Sequence, residues 1–129
     1  MSKPWIAFVD DDVAIRVALR QLLHGKANDW DMRFYEGGEE FPADCESRHP
    51  AVSVLDLSMP GMSGLEFALT LKQRGADTVA IMLTGNTDLE SAVASVNNAG
   101  VFRYYLKPCP RDTLIQGIQD ALSESGGAG

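Results

Sequence analysis

Acidic residues follow two apolar runs of this chain, at the points where the runs stop. The first run leads into Asp10, Asp11 and Asp12, and a later run leads into Asp56. Carboxylates about 4 Å apart repel by roughly 4 kcal/mol at an effective dielectric of about 20, so several of them at one place either raise each other's pKa or need a cation. Hard oxygen ligands suit Mg²⁺, which binds through one or two carboxylates together with a phosphate. The acidic positions therefore predict a magnesium-assisted site for a phosphoryl group, provided that the fold brings them together.

Two further residues have chemistry that suits such a site. Lys107 offers an ammonium group that can neutralise a phosphoryl oxygen, or pair with Asp56 when no phosphate is bound. Thr84 offers a hydroxyl, and the following Gly85 leaves room for a ligand near the backbone. Each residue also has a simpler explanation, because a lysine before a proline is usually solvated, a threonine–glycine pair forms a turn, and Asp12 can cap a helix. Only their convergence on one edge favours a phosphoryl site.

The elements that must position these residues follow from the hydrophobic pattern. Continuous apolar or β-branched runs predict five strands, at residues 6–9, 32–35, 51–57, 78–83 and 101–106. Apolar residues at helical spacing predict helices that end at Gly25, Gly75 and Gly100, and a last helix that begins near Pro110. Residues 38–47 contain Pro42 and are the least regular part of the pattern.

Strands and helices alternate five times along the chain, with short connections between them. This alternation predicts an α/β fold with a parallel sheet covered on both faces, and right-handed crossovers make it a doubly wound sheet. In such sheets, ligands bind beyond the carboxyl ends of the strands. Asp10, Asp56, Thr84 and Lys107 all stand at predicted strand ends, so this edge is where we expect them to meet.

Composition restricts the classes of function that the chain can have. Its 129 residues predict one domain, and a net charge of −7 argues against direct nucleic-acid binding, because the phosphate backbone is also negative. No apolar stretch approaches the roughly 18 residues of a membrane span. The two cysteines, Cys45 and Cys109, form no metal or disulfide pattern, which favours a reducing cytoplasm. Residues 124–129 have the composition of a flexible tail or the start of a linker.

Four motifs, FVDDD, VLDLSMPGMSG, LTGN and YLKPC, occur in this order along the chain. In their order and spacing they resemble the receiver domains of two-component response regulators. The resemblance implies one receiver domain at residues 4–123, followed by a tail or linker at residues 124–129. It also implies a flavodoxin-like five-stranded sheet of order 2-1-3-4-5 with five helices. A domain of this kind is a signalling module that catalyses only its own phosphorylation and dephosphorylation.

The resemblance assigns roles to the acidic residues and their neighbours. Asp56 would be the phosphoacceptor, receiving a phosphoryl group from a sensor histidine kinase or a phosphotransfer protein. Mg²⁺ would be held by Asp10, Asp11, Asp56 and the backbone carbonyl of Ser58. No other cofactor is implied.

The resemblance also assigns a switch and a means of resetting it. Lys107 and Thr84 would hold the phosphoryl oxygens, while Ser58 and Asn86 would set the rate of dephosphorylation. Phosphorylation would draw the Thr84 hydroxyl inward, and Tyr104 would fill the space that it leaves. The alternative for Tyr104 is that it has no switch role and is an ordinary half-buried aromatic residue of the strand. The surface that changes would be formed by the fourth predicted helix, the fifth strand and the last helix.

The partner that reads this switch is an output domain, either in a longer chain or on a separate protein. The segment NNAGVFRYYLKPCP resembles receivers attached to HD-type cyclic-di-GMP phosphodiesterase domains. Receivers often dimerise through the surface that changes, so the resemblance also allows a homodimer. We expect a cytoplasmic domain without membrane contact.

Three alternatives to a phosphorylatable receiver fit part of the pattern. A haloacid dehalogenase-like phosphatase also uses an aspartate nucleophile with Mg²⁺, but no cap domain is encoded and Asp56 would be unexplained. A flavin-binding electron carrier has the same fold, but the hydroxyl-rich phosphate loop after the first strand is missing. A degenerate receiver that only binds partners is disfavoured because the acidic pair, Asp56, Thr84 and Lys107 are all present.

Overall fold

The computed structural model describes residues 3–36, 50–56, 78–84, 102–106 and 109–126. Within these ranges the strands are β1 (Trp5–Val9), β2 (Asp31–Tyr35), β3 (Val52–Asp56), β4 (Val79–Thr84) and β5 (Arg103–Leu106). The α-helices are α1 (Val13–Leu22) and α2 (Arg111–Gly126), and a short 3-10 turn at His24–Lys26 follows α1. No helix among these residues is long and apolar enough to cross a bilayer.

The five strands form one parallel sheet in the order β2-β1-β3-β4-β5, which confirms the implied topology. The register places Val9 of β1 beside Leu55 of β3. The residues that follow, Asp10 and Asp56, therefore leave the sheet side by side at its carboxyl edge. Parallel sheets bury both faces, and every residue of β1 and β3 is buried accordingly.

Both α-helices pack on the same face of the sheet. Leu19 and Leu23 at the end of α1, together with Leu114 and Ile118 of α2, are nearly inaccessible. They join one apolar cluster with alternate strand residues, namely Ile6, Phe8, Val52, Val54, Ile81 and Leu83. Because this cluster pins β1, β3 and β4 against two helices, it fixes the strand ends that carry the acidic residues.

The observed elements differ from the predicted ones at their ends. The strand predicted at residues 51–57 begins one residue later, at Val52, and its predicted last residue, 57, lies outside the described residues; β5 begins at Arg103 rather than at residue 101. Helix α2 continues to Gly126, past residue 123 where the receiver segment is predicted to end. The irregular segment 38–47 and the predicted helices that end at Gly75 and Gly100 lie outside the described residues, so the predicted count of five helices is only partly visible.

Candidate functional site

Three carboxylates meet at the carboxyl edge of the sheet. Asp10 directly follows β1, Asp11 comes next, and Asp56 is the last residue of β3. One oxygen of each carboxylate lies within 4.8 Å of the others. Asp10 and Asp56 are buried, with 3% and 7% of their surface exposed, whereas Asp11 is exposed. Solvent therefore reaches the cluster from the side of Asp11, while Asp10 and Asp56 are covered by the fold.

The backbone and side chain of Asp10 are held by three neighbours. Its backbone N–H donates to the carbonyl of Tyr35 on β2, at 3.1 Å. Its backbone carbonyl accepts a hydrogen bond from Arg16 Nη1 at 2.7 Å, and its Oδ1 accepts one from the backbone N–H of Asp12 at 2.9 Å. These contacts fix both peptide groups of Asp10 and the direction of its carboxylate.

Asp12 has a different role from the two acidic residues before it. Its Oδ1 accepts a hydrogen bond from the backbone N–H of Ala14 at 2.9 Å, and its backbone is extended, as expected of a residue that caps the amino end of α1. It does not belong to the carboxylate cluster. Of the two explanations open for Asp12 in the sequence, the structure shows helix capping.

The donor set of the cluster fits a hard divalent cation. It consists of carboxylate oxygens, which Mg²⁺ prefers, and two of the three groups are buried beside one another, where like charges repel. The exposed Asp11 leaves the cluster accessible to water, and Mg²⁺ usually keeps several water ligands. Asp10, Asp11 and Asp56 are therefore suited to hold this ion.

The other predicted site residues are described only in part. Thr84 is the last residue of β4 and pairs in register with Leu106 of β5. It stands at the same edge of the sheet as Asp56, which pairs with Leu83. Ser58, Asn86 and Lys107 lie outside the described residues, as do the segments that directly follow β3, β4 and β5.

Two adjacent tyrosines of β5 face opposite sides of the sheet. Tyr105 packs against the apolar cluster and lies over Gly117 of α2, where an added Cβ would come within 2.8 Å of its ring. Tyr104 is half-buried, pairs in register with Met82, and by strand alternation faces away from α2. This placement is the same for a switch aromatic and for an ordinary half-buried strand aromatic, so the switch role of Tyr104 stays a prediction.

A polar network on the surface joins β5 to α2. Arg103 Nη1 donates to Asp120 Oδ2 at 2.5 Å, and Gln116 Nε2 donates to Asp120 Oδ1 at 2.9 Å. The pKa of Arg103 is raised, first by its hydrogen bond to Tyr105 and then by that to Asp120. The same contact with Arg103, followed by that with Gln116, lowers the pKa of Asp120. This network ties the last helix to the strand that carries Tyr104.

A cleft of about 580 Å³ lies between α1 and β2, away from the carboxylates. Its lining residues include Lys3, before β1, and Asp31, the first residue of β2. These positions belong to the amino ends of the strands, whereas the carboxylate cluster is at the carboxyl ends. No predicted site residue lines this cleft, so it is separate from the carboxylate cluster.

Sequence reasoning did not single out Arg16, nor the pair Arg103 and Asp120. The signal for Arg16 is its position one helical turn after Asp12, which places it beside the connection between β1 and α1. The pair on β5 and α2 is separated by 17 residues and leaves no local pattern.

The chain is similar to known proteins over most of its length. Residues 6–119 match the family described as response regulator receiver domain. The hydrogenase transcriptional regulatory protein HoxA of Cupriavidus necator is 32% identical over 121 residues, which cover 94% of this chain and 24% of that protein. The DNA-binding transcriptional regulator NtrC of Salmonella typhimurium is 34% identical over 123 residues, which cover 95% of this chain and 26% of that protein.

A solved structure, the signal receiver domain of an HD domain-containing protein from Pseudomonas fluorescens Pf-5, superimposes with a TM-score of 0.88. It is 25% identical, and the match covers 98% of this chain and 99% of that one. The chain spans about a quarter of the length of the curated relatives that it matches. The sequence similarity is therefore limited to the receiver domain of those longer proteins.

Proposed function

This chain belongs to the response regulator receiver domain family, and on that premise we propose that it receives a phosphoryl group on Asp56 in a two-component system. The observation that carries the proposal is the carboxylate cluster, in which Asp10, Asp11 and Asp56 approach within 4.8 Å at the carboxyl edge of the sheet. Family membership also decides against the phosphatase and the flavin carrier as alternatives.

The chemical step is a phosphoryl transfer between two side chains. A carboxylate oxygen of Asp56 attacks the phosphorus of a phosphohistidine on a sensor kinase or a phosphotransfer protein. The new P–O bond forms as the P–N bond breaks, and the electron pair of that bond stays on the histidine nitrogen. Because the transition state is loose, the step depends mainly on alignment and on neutralising the phosphoryl charge. The position of Asp56 supports this role, because it is the last residue of the buried strand β3 and lies beside the exposed Asp11.

Charge neutralisation requires Mg²⁺, which supplies positive charge to the phosphoryl oxygens when it is bound. Asp10, Asp11 and Asp56 would hold the ion with their carboxylates, and Ser58 would contribute its backbone carbonyl. The fixed position of Asp10 and the exposure of Asp11 support this assignment. Lys107 would add a second positive charge, and Thr84 a hydroxyl hydrogen bond.

Removal of the phosphoryl group ends the signal. Water would attack the phosphorus of phospho-Asp56 and release phosphate, and the carboxylate would be restored. Ser58 and Asn86, which follow strand ends at this edge, would set how readily water approaches. The domain would thus catalyse its own phosphorylation and dephosphorylation and no other reaction.

The signal would leave the site through β4 and β5. On phosphorylation, Thr84 would move toward Asp56 and Tyr104 would turn inward, changing the surface made by the fourth predicted helix, β5 and α2. The register supports the coupling, because Tyr104 pairs with Met82, two residues before Thr84 on β4. The network between Arg103 and Asp120 would carry a change in β5 to α2.

The output is carried either by a longer chain or by a separate protein. Two relatives are transcriptional regulators by name, and the structural neighbour comes from an HD domain-containing protein. A DNA-binding module and an HD-type phosphodiesterase are therefore the two outputs that we propose to test first. The receiver itself, at residues 4–123 with a tail or linker after it, would be cytoplasmic, would not bind nucleic acid directly and could dimerise through its switching surface.

Intact-mass measurement after incubation with acetyl phosphate tests the proposal. We expect a gain of one phosphoryl group that requires Mg²⁺, is labile in base and is absent from Asp56→Asn. Asp29→Asn, at the opposite edge of the sheet, is the matched control and should be phosphorylated like the wild type. No adduct on the wild type, with beryllofluoride also failing to bind, would indicate a degenerate receiver that only binds partners.

A further inference from the structure

Arg16 is the residue of α1 that reaches back to the connection between β1 and the helix. It is half-buried, one turn into α1, and its Nη1 donates to the backbone carbonyl of Asp10 at 2.7 Å. The contact spans six positions of sequence and is shorter than the hydrogen bonds that join Asp10 to Asp12 and Tyr35. A charged donor at this distance makes a strong hydrogen bond.

The hydrogen bond from Arg16 completes the set of contacts that fixes Asp10. The backbone N–H of Asp10 donates to the carbonyl of Tyr35 at 3.1 Å, and its Oδ1 accepts a hydrogen bond from the N–H of Asp12 at 2.9 Å. The carbonyl of Asp10 belongs to the peptide group that leads to Asp11. Without Arg16, that peptide group loses its helix anchor, and both acidic side chains on either side of it gain rotational freedom.

We infer that Arg16 is a positioning residue for the cation site, holding the peptide between Asp10 and Asp11 in the orientation that lets their carboxylates converge with Asp56. This inference rests on the proposed function, since it assumes that the cluster binds Mg²⁺. Arg16 itself touches neither the ion nor the phosphoryl group, and it acts through the backbone of Asp10. Partners that orient ligands in this way typically change metal affinity by about 10–100-fold when removed.

The charge of Arg16 and its hydrogen bond predict opposite effects on Mg²⁺ binding. A nearby positive charge repels a cation, so loss of the charge alone would tighten Mg²⁺ binding. Loss of the anchor on Asp10 would weaken it. The direction of the change in Arg16→Met, which removes both the charge and the donors, therefore distinguishes positioning from simple electrostatics.

Arg20 provides the matched control on the same helix. It lies one turn after Arg16, and its guanidinium sits 4.4 Å over the ring centroid of Phe34 rather than on the backbone of Asp10. Arg20→Met thus removes the same charge from α1 without freeing the acidic pair. Arg16→Lys keeps the charge and one possible donor, so it tests rescue by a conservative change.

The experiment is a Mg²⁺ titration of the whole chain, followed by ¹H–¹⁵N NMR, with phosphorylation by acetyl phosphate measured across the same Mg²⁺ concentrations. We expect the Mg²⁺ dissociation constant to rise about tenfold in Arg16→Met, to change less than about threefold in Arg16→Lys, and to stay near the wild-type value or fall in Arg20→Met. The phosphorylation rate of Arg16→Met should recover at saturating Mg²⁺. A merely structural role would lower the maximal rate without moving the Mg²⁺ dependence.

An unchanged or tighter dissociation constant in Arg16→Met, with the wild type binding normally, would overturn the positioning role alone. Absence of Mg²⁺ binding in the wild type would overturn both this role and the proposed function. Should Arg16→Met fail to fold in EDTA, Arg16→Gln decides in its place, because it also removes the charged donor, and its polar side chain is too short to replace Nη1 at the carbonyl of Asp10.

Discussion

Replacing Asp11 by asparagine should stabilise the protein without Mg²⁺ and weaken its response to the ion. Asp11 is the exposed member of the carboxylate cluster, and its oxygen lies within 4.8 Å of those of Asp10 and Asp56. At that separation a pair of unit charges repels by about 0.9 kcal/mol at the dielectric of water and about 3.5 kcal/mol at a dielectric of 20. Because Asp11 is exposed, the smaller value applies to each of its two pairs. The free energy of unfolding should therefore rise by about 1–2 kcal/mol in Asp11→Asn.

The assay is urea unfolding at neutral pH and low salt, in EDTA and in Mg²⁺. Ligand binding to the folded state adds about 1.4 kcal/mol at a Mg²⁺ concentration ten times the dissociation constant. Wild type should gain this amount and Asp11→Asn much less, so the difference between them should shrink or reverse on adding Mg²⁺. Asp29→Asn, which loses only an exposed contact of 3.9 Å with Lys26, controls for the change in net charge. The reasoning is refuted if Asp11→Asn is no more stable than the wild type in EDTA, or if Mg²⁺ stabilises both proteins equally.

Three further predictions concern contacts of the two helices, and each is measured by urea unfolding. Asp12→Ala removes the cap of α1 and should lower the free energy of unfolding by about 1 kcal/mol while leaving Mg²⁺ affinity unchanged. Gly117→Ala places a methyl group against the ring of Tyr105, and the overpacking penalty of about 1–3 kcal/mol should exceed the helix-propensity gain of about 1 kcal/mol. Adding Tyr105→Leu should then recover stability. Asp120→Asn should lower the urea midpoint at pH 7, since the hydrogen bond from Arg103 lowers the pKa of Asp120. A lowered carboxyl pKa stabilises the fold above the ordinary value of about 4, and this contribution is lost as the pH falls through the lowered pKa.

Each of these three predictions has an outcome that contradicts it. An Asp12→Ala protein with wild-type stability would mean that the cap contributes nothing. A Gly117→Ala protein more stable than the wild type would mean that the ring of Tyr105 moves aside without penalty. If the urea midpoints of Asp120→Asn and the wild type still differ at about pH 2, the difference does not arise from the ionised carboxylate of Asp120.

The central features of the site were accessible from the sequence because parallel strands end at one edge. Apolar runs that stop at Asp10 and Asp56 were enough to predict that these carboxylates meet, and the structure confirms the meeting. The order of the strands was not accessible in this way. Periodicity locates each strand but not its neighbours, so the order 2-1-3-4-5 came from the resemblance to receivers and is confirmed by the sheet.

Residues whose roles depend on geometry were harder to predict. Asp12 could be a ligand or a cap, since both roles use a carboxylate just after a strand, and only the hydrogen bond to the N–H of Ala14 decides between them. Arg16 acts on a backbone carbonyl, which no sequence motif records. Arg103 and Asp120 contact each other at the surface, and the hydrophobic pattern of the sequence does not distinguish them from other exposed residues.

The most direct test of the central claim is to locate the phosphoryl group on the chain. After treatment with acetyl phosphate and Mg²⁺, borohydride reduces an aspartyl phosphate to homoserine, which peptide mass mapping identifies by position. We predict homoserine at residue 56 alone, only when Mg²⁺ is present, and at a reduced level in Asp11→Asn. Homoserine at residue 10 or 11, or at position 56 independently of Mg²⁺, would contradict the assignment of Asp56 as the nucleophile of a magnesium-dependent site.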